Sequence, residues 1–260
     1  MENGAKSCLG GGRRLTIRLV RSLSLEDSNR RQTITMSKPR ILITSVLLLF
    51  LTISANLSLA QAPPPVAERK TSPPYDGDLS VFDKPGRAER LQIERVMDIL
   101  NITPGATVAD IGAGSGWFTV RAARRVKETG SVYAVDINPE AVRYVKNRAA
   151  REKLNNVHAV LGGSDDPRLP TGRIDAVLIL KTYHEIEHPV ALLNNLRAAL
   201  RPAAKIGIID RNGNGEDHGV SSDIVIQEAE KAGFRLLQRY DFVKKDGMDY
   251  FLVFVLKEQQ

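Results

Sequence analysis

A chain of 260 residues with 42% hydrophobic content is long enough for one sizeable buried core and has the composition of a globular domain. The formal charge of +7 looks basic overall, but residues 1–60 hold nine Lys or Arg against Glu2, Glu26 and Asp27, which leaves a nearly neutral remainder of 28 basic and 27 acidic residues. That distribution argues against a basic nucleic-acid-binding face on the folded part, and the Arg121, Arg124, Arg125 and Lys127 run reads as a solvated helix face. The one cysteine, Cys8, excludes a disulfide, a thiolate nucleophile and a Cys-built zinc site from the rest of the chain. His158, His184, His188 and His218 have no metal-ligand spacing, so no metal is expected.

Residues 1–35 are polar and Arg-rich without a core pattern and read as a disordered extension. From Met36 a basic stretch (Lys38, Arg40), an apolar run (Ile41–Leu51) and a small-x-small site (Ser58-Leu59-Ala60) follow in the order of a secretory signal. This favours export to the periplasm or exterior and suggests a start at Met36, with a membrane anchor over 36–60 as the alternative. Any membrane contact is expected through this segment alone. Residues 61–74, with five prolines, read as an extended linker, and the domain is expected over 75–260.

The spacing of Leu91, Val96, Ile99 and Leu100 predicts a helix over Ala88–Leu100, ended by Asn101-Ile102-Thr103-Pro104-Gly105. Strands and helices then alternate: strand Val108–Ile111, helix Gly116–Glu128, strand Val132–Val135, and helix Pro139–Lys153 with Pro at its first position. Strands Val157–Leu161 and Ile174–Leu180 precede helix Pro189–Leu200, strand Lys205–Asp210 and helix Ser221–Ala232, which Gly233 stops. The last two strands, Phe234–Phe242 and Tyr250–Leu256, are joined through Lys245-Asp246-Gly247, too short for a parallel crossover, so the chain should end in an antiparallel hairpin at the sheet edge.

Within this alternation Val108–Thr119, VADIGAGSGWFT, is the informative stretch. A strand runs into Gly112, Gly114 and Gly116 and then into a helix, so bare backbone and unpaired helix N–H groups form a ligand seat. A dinucleotide fingerprint needs G-x-G-x-x-G, yet Trp117 stands three residues after Gly114 and the third glycine comes one place early. Asp110, two places before the first glycine, would repel a pyrophosphate and attract an ammonium. Asp136 ends the next strand-like run, SVYAVD, where its carboxylate can accept both hydroxyls of an adenosine ribose.

This Asp110-x-Gly112-x-Gly114-x-Gly116 pattern with Asp136 downstream resembles the S-adenosylmethionine site of the class I methyltransferases, over about Ala88 to Leu256. The resemblance implies an α/β Rossmann-like doubly wound sheet of seven mostly parallel strands, order 3-2-1-4-5-7-6 with strand 7 antiparallel. It implies S-adenosyl-L-methionine as cofactor, with Asp110, Gly112, Ala113, Gly114 and Gly116 around the methionine end, and Asp136 with Ile137 at the ribose and adenine. Many relatives place an Asp where Gly163 stands here, so the adenine contact would fall to Asp165 or Asp166. The loop Leu180-Lys181-Thr182-Tyr183-His184-Glu185 would lie nearest the transferring methyl, with Lys181 toward the cofactor. His184 is the natural general base, and Tyr183 and Glu185 are alternatives. Asp210-Arg211-Asn212 is placed to line the acceptor pocket.

The expected activity is methyl transfer to a small-molecule acceptor at O or N. The Asn-Pro-Pro-Tyr type of motif used for nucleic-acid amino groups is absent. The alternatives are a cofactor-binding protein without turnover and a Rossmann oxidoreductase, which the early third glycine and the terminal hairpin disfavour.

Overall fold

The computed structural model describes residues 69–243 and 247–257. The basic extension, the signal or anchor, the first part of the linker and the Lys245-Asp246 turn lie outside the described residues.

One sheet of seven strands carries the domain: β1 (Thr107–Ile111), β2 (Ser131–Asp136), β3 (Val157–Leu161), β4 (Ile174–Leu180), β5 (Leu200–Arg211), β6 (Phe234–Tyr240) and β7 (Asp249–Leu256). Their spatial order is β3-β2-β1-β4-β5-β7-β6. The first five run parallel, and β7 pairs antiparallel with both β5 and β6, as the short terminal connection requires. Central strands in such a sheet are covered on both faces, which is why β4 reads IDAVLIL with hardly a polar residue.

The helices are α1 (Arg87–Leu91), α2 (Ile93–Ile99), α3 (Trp117–Val126), α4 (Pro139–Arg151), α5 (Pro189–Ala199) and α6 (Ser222–Lys231). Two apolar layers result. One gathers Ile179, Leu193, Leu196, Val225, Phe234 and Phe254, and the other Val96, Leu100, Phe118, Val126, Val132 and Phe251. The basic face of α3 is largely paired: Arg124 with Glu152, and Arg125 with Glu94 and Asp98.

Two local expectations are corrected. The single helix over Ala88–Leu100 is broken at Gln92, which takes a left-handed φ of 46°. Its Nε2 donates to the Phe242 carbonyl at 3.1 Å, and the break lets α2 bury Ile93, Val96 and Met97 while Arg87 on α1 lies over the Trp117 ring. The second correction concerns residues 69–74, expected as linker, which are pinned to the domain. Arg69 donates to Glu228 and to the Tyr183 and Ile186 carbonyls, and the buried Ser72 donates its N–H to the His184 carbonyl and its hydroxyl to that of Gly215.

Phe251, wholly buried and stacked on Tyr240 at 5.4 Å, tests the packing of the terminal hairpin. Phe251→Ala should lower unfolding stability by about 3–5 kcal/mol in urea titration. Truncating the exposed Ile137 should change it by no more than about 0.5 kcal/mol.

Candidate functional site

A cavity of about 580 Å³ opens at the carboxyl ends of β1, β2 and β4, where ligands of open α/β sheets sit. Its floor is the glycine turn. Gly112 and Ala113 both donate their N–H to the Val135 carbonyl, and Gly116 donates to Ala113, which curls the chain back before α3 begins. All three glycines have positive φ, 72°, 52° and 73°. At Gly112 a Cβ would run into the Thr182 side chain, so a bare backbone is required there on two grounds.

Asp110 and Asp136 face this cavity from adjacent strand tips. Asp110 is buried, and its Oδ2 accepts from Thr119 Oγ1 at 2.6 Å. Burial pushes its pKa up to about 6, against the pull of the Thr119 hydroxyl and the Arg87 guanidinium. Asp136 accepts from Gly114 N at 2.8 Å through Oδ2 and from Asn138 N at 2.9 Å through Oδ1. Burial raises its pKa too, and those N–H groups oppose the rise. The Ile137 N–H adds to them, and the carboxylate still keeps lone-pair capacity for a ligand hydroxyl. Ile137 beside it is 48% exposed and lines the cavity, an apolar surface for a flat ring.

Beyond β4 the predicted residues separate. Lys181 lines the cavity in a left-handed conformation, φ 58°, and its Nζ lies 2.6 Å from Asp249 Oδ1. Tyr183 is corrected: it is fully buried, does not line the cavity, and donates its hydroxyl to Glu228 Oε2 at 2.9 Å, on the far side of the loop. Burial beside that carboxylate holds its pKa well above the ordinary value, so it is no base. His184 does line the cavity and is itself buried. Its Nδ1 lies 2.9 Å from Asp210 Oδ1, and its backbone N donates to Asp210 Oδ2 at 3.0 Å. Glu185 lines the cavity with Oε1 3.7 Å from His184 Nε2, and burial pushes its pKa up to about 7.

Past β3, Gly163, Ser164 and Pro167 reach the cavity. Asp165 and Asp166 do not: both are exposed, and Asp166 caps the Arg168 N–H at 2.8 Å. Neither side chain expected at the adenine, Asp165 or Asp166, therefore lines the cavity.

Several site residues went unread in the sequence. Arg87 lines the cavity beside Asp110, lies over Trp117 at 4.5 Å and has its pKa drawn down to about 10 by burial. Tyr75, Leu79 and Phe82, from the segment ahead of α1, form a wall. Asp210, expected to line the acceptor pocket, does not reach the cavity; it stands behind His184, completely buried. A signal for it existed: VADI, SVYAVD and IGIID each close a strand-like run around an Asp at the same end of the sheet.

A family model described as a methyltransferase domain matches residues 108–203. The chain is 31% identical over 111 residues to a protein-L-isoaspartate O-methyltransferase of Pyrococcus horikoshii, covering 43% of this chain and 47% of that protein. It is 32% identical over 135 residues to the nocamycin O-methyltransferase of Saccharothrix syringae, covering 52% and 48%. The chain thus spans about half the length of the curated relatives it matches. Among solved structures, a SAM-dependent methyltransferase from Aquifex aeolicus superposes with a TM-score of 0.64 at 25% identity, over 70% of this chain and all of that one.

The raised pKa of Asp110 stabilises the ligand-free fold with the proton on: that contribution is complete below the usual 3.8 and is lost as pH rises through about 6. A ligand ammonium needs the ionised form. S-adenosylhomocysteine affinity, measured calorimetrically, should therefore weaken as pH falls below about 6, approaching tenfold per pH unit. Asp110→Asn should bind weakly with that dependence removed, and Glu185→Gln should keep it.

Proposed function

We propose, from the premise that the chain belongs to the class I S-adenosylmethionine-dependent methyltransferases, that it transfers the cofactor's methyl group to a small-molecule oxygen or nitrogen acceptor seated against His184. The observation that carries this reading is that one cavity joins the Asp110, Gly112–Ser115 and Asp136 seat to a buried histidine held by a carboxylate, Gly116 packing behind it against Val145 and Arg148.

The bound cofactor supplies an electrophilic methyl on a sulfonium, already a good leaving group, so the protein's work is placement and proton removal. Asp110 would take the amino end and Asp136 the ribose hydroxyls, and the glycine turn would let the ligand lie close to the backbone. Asp210 accepts from the Nδ1–H of His184, which leaves the imidazole lone pair on Nε2, inside the cavity. There it can accept the acceptor's proton as attack proceeds. Asp210 does not meet the ligand; it fixes the tautomer and ring orientation. A small acceptor fits the space, since a cavity of about 580 Å³ must hold the cofactor as well.

Incubating the protein with methyl-labelled cofactor and extract of the source cells should yield a labelled product. His184→Asn should reduce its formation by about 10²–10⁴-fold while S-adenosylhomocysteine affinity stays within about threefold. Undiminished transfer by the variant would remove His184 from the reaction. Cofactor binding without any labelled product would identify a binding protein that does not turn over.

A further inference from the structure

Resting on that methyl-transfer reading, the charge pattern of the acceptor side narrows the acceptor to one chemical class. Two cationic side chains, Arg87 and Lys181, line the cavity among the described residues, and both are engaged. Lys181 pairs with the buried Asp249, and Arg87 lies next to Asp110 and donates to the Phe82 carbonyl at 2.8 Å. Lys181 is thereby neutralised, and the Arg87 charge lies with Asp110 at the glycine-turn end of the cavity. The remaining charged groups of the lining on this side are acidic, Asp76, Glu185 and Glu187, and Asp210 stands behind His184. Apart from His218, edge-on to His184 at 5.8 Å, an anionic acceptor would meet acidic groups here.

Between a hydroxyl and an amine, hydrogen-bond capacity decides. His184 Nε2 has no hydrogen-bond partner among the described residues, and Glu185 Oε1 at 3.7 Å is just beyond bonding distance, so the two acceptors face the cavity side by side. A hydroxyl brings one hydrogen and would leave one of them unmet, whereas an ammonium brings two or three and satisfies both. Charge gives the same answer: a hydroxyl stripped of its proton becomes an oxyanion next to Glu185, while a deprotonated amine is neutral. The walls of Pro73, Pro74, Tyr75, Leu79, Phe82 and Ile186 suit an apolar body behind the reacting atom.

We propose that the acceptor is a primary or secondary amine on an apolar body, its nitrogen held between Glu185 and His184. The amine enters as the ammonium, donates one N–H to the Glu185 carboxylate and gives a proton to His184 Nε2, which passes it to solvent. The freed lone pair then forms the N–C bond to the methyl carbon as the C–S bond breaks. The bonding electrons stay on sulfur, giving S-adenosylhomocysteine, and the N-methylated ammonium leaves with one proton released overall. Burial, with Asp210 and Asp136 nearby, pushes the Glu185 carboxyl up to about 7 against His184 and the Tyr75 N–H, and a bound ammonium would return it to the ionised form.

The test uses the full chain, cofactor carrying a carbon-13 methyl, and extract of the source cells, with the product read by proton–carbon correlation NMR. A methyl on nitrogen is expected. A methyl on oxygen, sulfur or carbon overturns the proposal and leaves methyl transfer standing. No labelled product, with S-adenosylhomocysteine still bound, overturns the transfer reading itself. With the isolated acceptor, Glu185→Gln should raise KM by about 10- to 100-fold at pH 7 with a smaller effect on kcat. Cofactor affinity unchanged within about threefold would show that the variant folds. An unchanged KM would remove Glu185 from acceptor binding.

Discussion

Gly114 donates its backbone N–H to the carboxylate of Asp136, and the site depends on that 2.8 Å bond between two neighbouring strand tips. It closes the glycine turn onto β2, orients Asp136 without using all of its lone pairs, and holds the carboxylate charge against the cost of burial. The bond forms because the parallel pairing of β1 with β2 brings Ile111 level with Val135, so the turn after one strand meets the acid that ends the other. Gly114 holds a left-handed φ of 52° there, a conformation glycine adopts without strain.

Asp residues close β1 and β2 and stand at the same end of β5, and their surroundings give them different roles. Asp110 is buried beside a hydroxyl and a guanidinium, and so is held near its titration point, ready for a cation. Asp136 is met by backbone N–H groups and faces the cavity. Asp210 is fully buried against the imidazole and backbone N–H of His184 and does not line the cavity. The sheet puts all of them at one end, while the loops decide which acid meets ligand and which meets protein.

The grouping of Asp110, the glycine turn and Asp136 at one end of the sheet was legible because it is written locally: they lie within one strand-turn-helix-strand passage, and the Gly114–Asp136 bond spans 22 positions. The sheet order was legible for a related reason, since a terminal connection too short for a crossover forces an antiparallel end. The other side of the cavity was not. Its wall comes from Tyr75, Leu79 and Phe82, carried on a segment anchored through contacts such as Arg69 with Glu228, 159 positions apart, and a proline-rich composition reads as linker whatever it is tied to. Tyr183 and His184 are adjacent in a 3-10 turn and point to opposite surroundings, one to Glu228 and the other to the cavity. No periodicity separates two neighbours in so short a turn. The break at Gln92 was hidden likewise, because the apolar spacing runs through it and its partner, the Phe242 carbonyl, lies 150 positions away.

The account's central claim is that Asp110 and Asp136 take opposite ends of one sulfonium nucleoside laid over the glycine turn. The most direct measurement is a crystal structure of the protein with S-adenosylhomocysteine. The account predicts the amino group within hydrogen-bonding distance of Asp110, both ribose hydroxyls on Asp136, and the sulfur turned toward His184. The ligand bound elsewhere, or bound in this cavity with neither carboxylate touching it, would contradict the claim.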